Sequence, residues 1–257
     1  SSSQWIGGLY FLIFLILIFS NKKFNYKMTD LSYSGDSNFS SEENIKNNIL
    51  KIFIFYSVLS IIFFILLNIS GVRLFNSLNL SMTIISTGGF LPSDSLNKII
   101  STNFQKLVFI FSLMLSILNF YLLFNIFNKK IILKEHKEDF YLLILSLIFI
   151  LLIFFNNVEG LNLIINVISS LGNSGLTLVK SDNNLSLFFL FLTMIGGSLI
   201  SNSSGIKLTR FYILLKITSS EIFKLISPNS VVNKTIFNSD KKITDGDVQI
   251  SFFVFIT

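Results

Sequence analysis

Cysteine and alanine are both missing from this chain of 257 residues, and histidine and tryptophan occur once each. Without cysteine there is no disulfide framework, no thiolate metal site and no thiol nucleophile. The one histidine, His136, lies in Lys134-Glu135-His136-Lys137-Glu138, a charged linker where a solvated imidazole is expected. Only 13% of residues are charged, and no spaced carboxylate pair or histidine cluster accompanies them. An integral-membrane enzyme would lack its acid–base or metal groups, so the chain reads as a protein that is not an enzyme and binds no cofactor. Alanine is absent while Phe, Ile, Asn, Lys and Ser are abundant. This points to an AT-rich coding sequence in which Ser and Asn fill small-residue positions, a reading that balanced codon usage would overturn.

What is present is apolar. Hydrophobic residues make up 51% of the chain, with 30 Phe against 2 Pro, too greasy a composition for a water-soluble domain. Apolar runs at 5–19, 52–69, 107–127, 140–155 and 185–200 approach the roughly 20 residues that cross a hydrocarbon core of about 30 Å. The expectation is a multi-pass protein whose first partner is the lipid bilayer. The net charge of +6 forms no basic face for nucleic acid. Instead, every Lys and Arg except Arg73, Lys98, Lys106 and Lys180 falls in 20–51, 128–139 or 207–249. By the positive-inside rule those segments are cytoplasmic, which places the protein in the cell inner (plasma) membrane. The chain opens on Ser1 and its last apolar stretch, 250–256, is short, so the sequence reads as a piece cut from a longer protein.

A repeat runs through it. The long run 52–69 is followed by the half-length apolar segment 74–85, a Gly-containing polar turn and the long run 107–127. The same order recurs about 90 residues later with 140–155, the half-length 161–171, another Gly-containing turn and 185–200. Each unit reads as a spanning helix, a half-helix that enters the membrane and stops, a turn, and a second spanning helix. Two amphipathic helices lying on the outer surface are the plainer alternative. The fold class expected is an all-α membrane protein of tandem helix–pore-loop–helix repeats, two of them complete.

The turns are Ser86-Thr87-Gly88-Gly89-Phe90 and Gly172-Asn173-Ser174-Gly175-Leu176. Non-helical backbone at membrane depth must line water or protein, because each unpaired group costs several kcal/mol in lipid. A potassium ion shedding its water needs oxygen dipoles, which backbone carbonyls supply without net charge. Aligning successive carbonyls toward one axis favours glycine. Each half-helix also aims its C-terminal end, worth about half a negative charge, at the cation. Ser86, Thr87, Gly88, Gly89, Gly172, Asn173, Ser174 and Gly175 are therefore the candidate ion-binding residues. A secondary carrier of another cation or small solute is the competing reading, although carriers place ionisable groups inside their spans and the runs here contain none.

These residues resemble a family. Thr87-Gly88-Gly89-Phe90 is similar to the second pore loop of the Trk/Ktr/HKT superfamily of potassium transporters, and residues 169–176 to the third. Gln4-Trp5-Ile6-Gly7-Gly8 resembles the segment just after their first pore loop. The stretch 195–210, Ile-Gly-Gly-Ser-Leu-Ile-Ser-Asn-Ser-Ser-Gly-Ile-Lys-Leu-Thr-Arg, resembles the glycine-rich break in the second inner helix of the third repeat. Ser227-Pro228-Asn229-Ser230-Val231 sits where the family enters its fourth repeat.

The resemblance implies a pseudo-fourfold pore with one filter strand from each of four repeats. On that pattern residues 1–48 are the second helix of the first repeat plus a cytoplasmic linker, and 49–137 are the second repeat. Residues 138–226 are the third, with a broken second helix, and 227–257 begin the fourth. It further implies a homodimer regulated by a cytoplasmic nucleotide-binding subunit. Gly196, Gly197, Ser201, Asn202, Ser203, Ser204 and Gly205 then form an intramembrane gate loop beneath the filter; read from the residues alone, the same stretch could be a helix end with a polar cap. The family has more glycine where this chain has Asn202, Ser203 and Ser204, which points to a stiffer gate, and Gly172-Asn173 departs from its Thr-rich filter turn. The stretch 206–226, with Lys207, Arg210, Lys216 and Lys224, is expected at the inner membrane interface or as the dock for the regulatory subunit.

Overall fold

The computed structural model describes residues 1–20, 45–127, 137–154, 160–178, 183–227, 235–237, 243 and 245–256. His136 and residues 228–231 lie outside them. The described regular structure is helical. In chain order it consists of α1 (Ser2–Ser20), α2 (Ile45–Ile69), α3 (Leu74–Ser86), α4 (Asn103–Ile117), α5 (Phe120–Phe127), α6 (Lys137–Phe154), α7 (Gly160–Leu171), α8 (Asn183–Ile195), α9 (Leu208–Ile226) and α10 (Asp245–Ile256), with one 3-10 turn at Leu96–Lys98.

The residues that stay on the surface explain the arrangement. On α2, Leu50, Ile54, Val58, Ile61, Ile65 and Ile69 are exposed at helical spacing, while Ile52, Tyr56, Leu59, Phe63 and Leu67 on the other face are buried. α6 likewise turns Phe140, Ile144, Leu147 and Leu151 outward. Meanwhile Ser77, Ser81, Thr83, Ser112, Ser169 and Ser203 are inside. Large apolar side chains outside and small polar ones inside is a distribution suited to lipid, where inward hydroxyls bond the main chain and outward methyls need no partner. Among the described helices, one stretch, Ile49–Ile69, is long and apolar enough to cross a membrane by length and composition.

α3 packs against α1 and α2, and α7 packs against α6 and α8. α4 touches both short helices, joining the two groups. Its N-terminus is fixed by a capping box in which the Thr102 hydroxyl accepts from the Gln105 N–H and the Gln105 side chain accepts in return.

One expectation fails. The run 107–127 is not a continuous helix, because the chain leaves helical geometry at Leu118 (ψ 163°) and restarts as α5. The cause is tertiary: the Ile117 carbonyl accepts from the Ser198 N–H at 3.1 Å and the Phe120 N–H donates to the Ile200 carbonyl at 2.8 Å, so the interruption is filled by residues from the 196–207 loop.

Candidate functional site

The two turns that follow α3 and α7 are built alike. The Thr87 N–H donates to the Ile84 carbonyl and the Gly88 N–H to the Thr83 carbonyl; in the second turn the Asn173 N–H donates to the Ser170 carbonyl and the Ser174 N–H to the Ser169 carbonyl. This pairing is a Schellman cap, and it places a left-handed residue one position past α3 and two positions past α7. Those residues are Thr87 (φ 50°) and Asn173 (φ 53°), followed two positions later by Gly89 (φ 74°) and Gly175 (φ 65°).

The turns also meet. A Cβ added to Gly89 would overlap the main-chain carbonyl oxygen of Ser174, so only glycine lets the two backbones approach this closely. Several groups brace the first turn. Gln4 Nε2, from α1, donates to the Gly88 carbonyl at 2.7 Å, and Thr83 Oγ1 donates to the Phe90 carbonyl at 2.8 Å. In the second turn Ser169 and Ser174 hydroxyls bond each other at 3.0 Å, and Asn173 Nδ2 donates to the Thr193 carbonyl on α8. Asn97 Nδ2 ties the segment after the first turn to the Leu178 carbonyl after the second, at 2.6 Å.

Residues 196–207 form a loop pinched at its base. A Cβ on Gly196 would overlap the Ser204 carbonyl, and one on Gly205 would press on the Gly196 backbone. Main-chain bonds from Ile206 to Met194 and from Leu208 to Gly197 close the neck. Inside the loop the serines work as hydrogen-bonding groups. Ser203 Oγ accepts from the Gly197 N–H at 3.0 Å, Ser201 Oγ donates to the Ser198 carbonyl at 2.7 Å, and the two hydroxyls bond each other. Ser204 and Gly205, at the neck, are exposed.

The loop lies directly against the first turn. Asn202 Nδ2 donates to the Ile85 carbonyl at 2.8 Å, and Thr87 Oγ1 donates to the Asn202 carbonyl at 3.0 Å. Gly8 of α1 leaves room for this contact, since a Cβ there would meet Tyr56, Ser86 and Asn202. A small, partly open and mainly apolar pocket adjoins it, bounded by Leu12, Tyr56, Leu59, Ile85, Leu118 and Asn202. The structure thus brings together the two turns and the loop; Gly175, Ser204 and Gly205 stand at the exposed edge of the group.

Three charged residues at or beside this loop differ from their sequence expectation. Glu138 and Asp139 fall in the segment expected to be a solvated linker, and Lys207 in the one expected at the membrane interface, yet all three are buried. Glu138 Oε1 accepts from the Leu199 N–H at 2.9 Å, and Asp139 Oδ1 from the Asn119 N–H at 2.8 Å. Lys207 Nζ donates to the Ser201 carbonyl at 3.1 Å and also to the Ser203 carbonyl. The signal that could have found them is an acidic pair at the first turn of an otherwise apolar helix, where carboxylates suit the helix N-terminus but not lipid. Among the described residues no group of three or more His, Asp or Glu is placed to hold a metal ion. The arrangement offers main-chain oxygens and hydroxyls, not carboxylates, at the turns.

No protein-family model matches the chain. An uncharacterized cation transporter of Methanocaldococcus jannaschii is 29% identical over 243 residues, which is 90% of this chain and 49% of that protein. The crystal structure of the potassium transporter TrkH from Vibrio parahaemolyticus superimposes with a TM-score of 0.73 at 20% identity, covering 97% of this chain and 54% of that one. The chain has the fold of a Trk-type potassium transporter. It spans about half the length of these two relatives. The Trk-type fold makes this a membrane protein and accounts for the outward apolar faces of α2 and α6.

Proposed function

We propose that this chain forms part of a potassium-uptake pathway across the cytoplasmic membrane, in which the two turns contribute main-chain carbonyls to a selectivity filter and the 196–207 loop obstructs the path until it moves. The observation that carries the proposal is the meeting of two equivalent Schellman-capped turns at Gly89 and Ser174, each at the C-terminal end of a short helix whose dipole favours a cation. The name of the potassium transporter whose fold it shares supports potassium as the ion. On the same resemblance the working protein is a homodimer with a cytoplasmic nucleotide-binding regulatory subunit, and residues 49–137 and 138–226 act as two repeats of the pore. A solute carrier would place its ionisable groups at the midplane site; here Glu138 and Lys207 bond the loop and Asp139 the α4–α5 break, none of them the turns.

The test is Gly89→Asp in the full-length protein, expressed in cells lacking their own potassium uptake. Rubidium uptake is expected to be abolished with membrane insertion intact, because the carboxylate has no room beside Ser174 and puts a fixed charge where neutral dipoles are needed. Unchanged uptake would remove the two turns from the conduction path.

A further inference from the structure

Glu138 and Lys207 are 6% and 7% exposed, and neither is among the filter and gate residues named above. A carboxylate and an ammonium group that leave water must find partners, and here those partners are largely the main chain of one loop. Glu138 takes the N–H of Leu199, in the first half of the loop. Lys207 gathers the carbonyls of Ser201 and Ser203 in the second half, and both serine hydroxyls at 3.2–3.3 Å. The two charges also attract each other, with Arg210 nearby as a second cation for Glu138. Lys207 itself holds φ 76° and ψ 139°, a conformation that a side-chain-bearing residue keeps only when its surroundings impose it. Asp139, the next residue of α6, holds the Asn119 N–H at the α4–α5 break on which the same loop rests.

Resting on the pathway proposed above, we propose that Glu138 and Lys207 are positioning residues that clamp the 196–207 loop in its closed place. The start of α6 supplies one jaw and the start of α9 the other. Because Glu138 and Lys207 each bond main-chain atoms, the clamp holds the backbone of the loop directly, with the Ser201 and Ser203 hydroxyls adding to the hold on Lys207. Its effect at the first turn is delivered by Asn202, which reaches the Ile85 carbonyl only while the loop is held.

The absence of cysteine from this chain makes the test direct. Ile200 is wholly buried at the α4–α5 break, and Leu80 is wholly buried in α3. In the full-length protein with any other cysteines replaced, Ile200→Cys or Leu80→Cys is introduced as a single reporter and its maleimide labelling rate measured in membranes. With Lys207→Met, Ile200→Cys is expected to label at least about tenfold faster, the size expected from losing hydrogen bonds to a charged group. Leu80→Cys should stay protected, and Lys207→Arg should restore slow labelling. Glu138→Gln, which keeps an acceptor for Leu199 but loses the charge, should give an intermediate rate. An unchanged rate at Ile200→Cys, or an equal rise at Leu80→Cys, overturns the clamp, the second because it marks general loosening. Labelling needs no transport, so failure to move rubidium would sink the conduction proposal and leave this one to be judged on its own.

Discussion

The turn after α3 and the turn after α7 share their caps and their backbone signs, but they are not equally constrained. In the first, Gly88 and Gly89 are both hemmed in: a Cβ on Gly88 would strike the Gln4 side chain, and one on Gly89 the Ser174 carbonyl. In the second, the equivalent of Gly88 is Ser174, whose hydroxyl is used, and a Cβ on Gly175 would meet nothing within 4 Å. The first turn thus has glycine at 88 and 89 because neighbours approach it, whereas at 175 the second needs glycine only for its backbone angle. Similar local geometry was reached under different packing, which accounts for two turns of one shape carrying different residues.

That contrast is most easily broken with alanine at matched positions. Gly89→Ala combines an unfavourable φ with an overlap against main chain, and rubidium uptake should fall by at least about a hundredfold, equivalent to roughly 3 kcal/mol of misplacement. Gly175→Ala adds only the left-handed penalty of about 1–2 kcal/mol, so a substantial part of the uptake should survive. Equal losses at the two sites would show that packing against Ser174 does not distinguish them. Gln4→Ala removes a brace that the second turn lacks. Loss of one hydrogen bond, about 1 kcal/mol, should lower the preference for rubidium over sodium roughly fivefold, read from competition uptake. Lys98→Ala, which breaks the 2.7 Å ion pair with Asp94 on the exposed connection, should leave uptake unchanged and serves as the control.

The half-helices and their turns were legible because they follow from patterns within a few residues: an apolar segment too short to span, then Ser, Thr, Asn and Gly. The break after Ile117 was not. Ser116-Ile117-Leu118-Asn119-Phe120 contains no glycine or proline, and the helix stops there because Ser198 and Ile200 take its main-chain groups from far along the chain. Glu138 and Lys207 were misread for a related cause, since a charge beside an apolar run looks solvated until its partners, 61 positions away for Glu138 and Leu199, come into view. From the sequence, Ser203 counts with Asn202 and Ser204 as a restriction on a loop in which the family has more glycine. In the structure Ser203, together with Ser201, fastens the loop internally.

If the 196–207 loop is the obstruction proposed above, its seating in the α4–α5 interruption has a consequence for opening. While the loop is seated, the Ile117 carbonyl and the Phe120 amide are satisfied by Ser198 and Ile200. Once it lifts away, those two groups face the interior with no helix to complete them, and only water can take the vacated bonds at acceptable energy. Wetting and unblocking would then be one event, with the same displaced segment admitting the solvent that a hydrated cation requires.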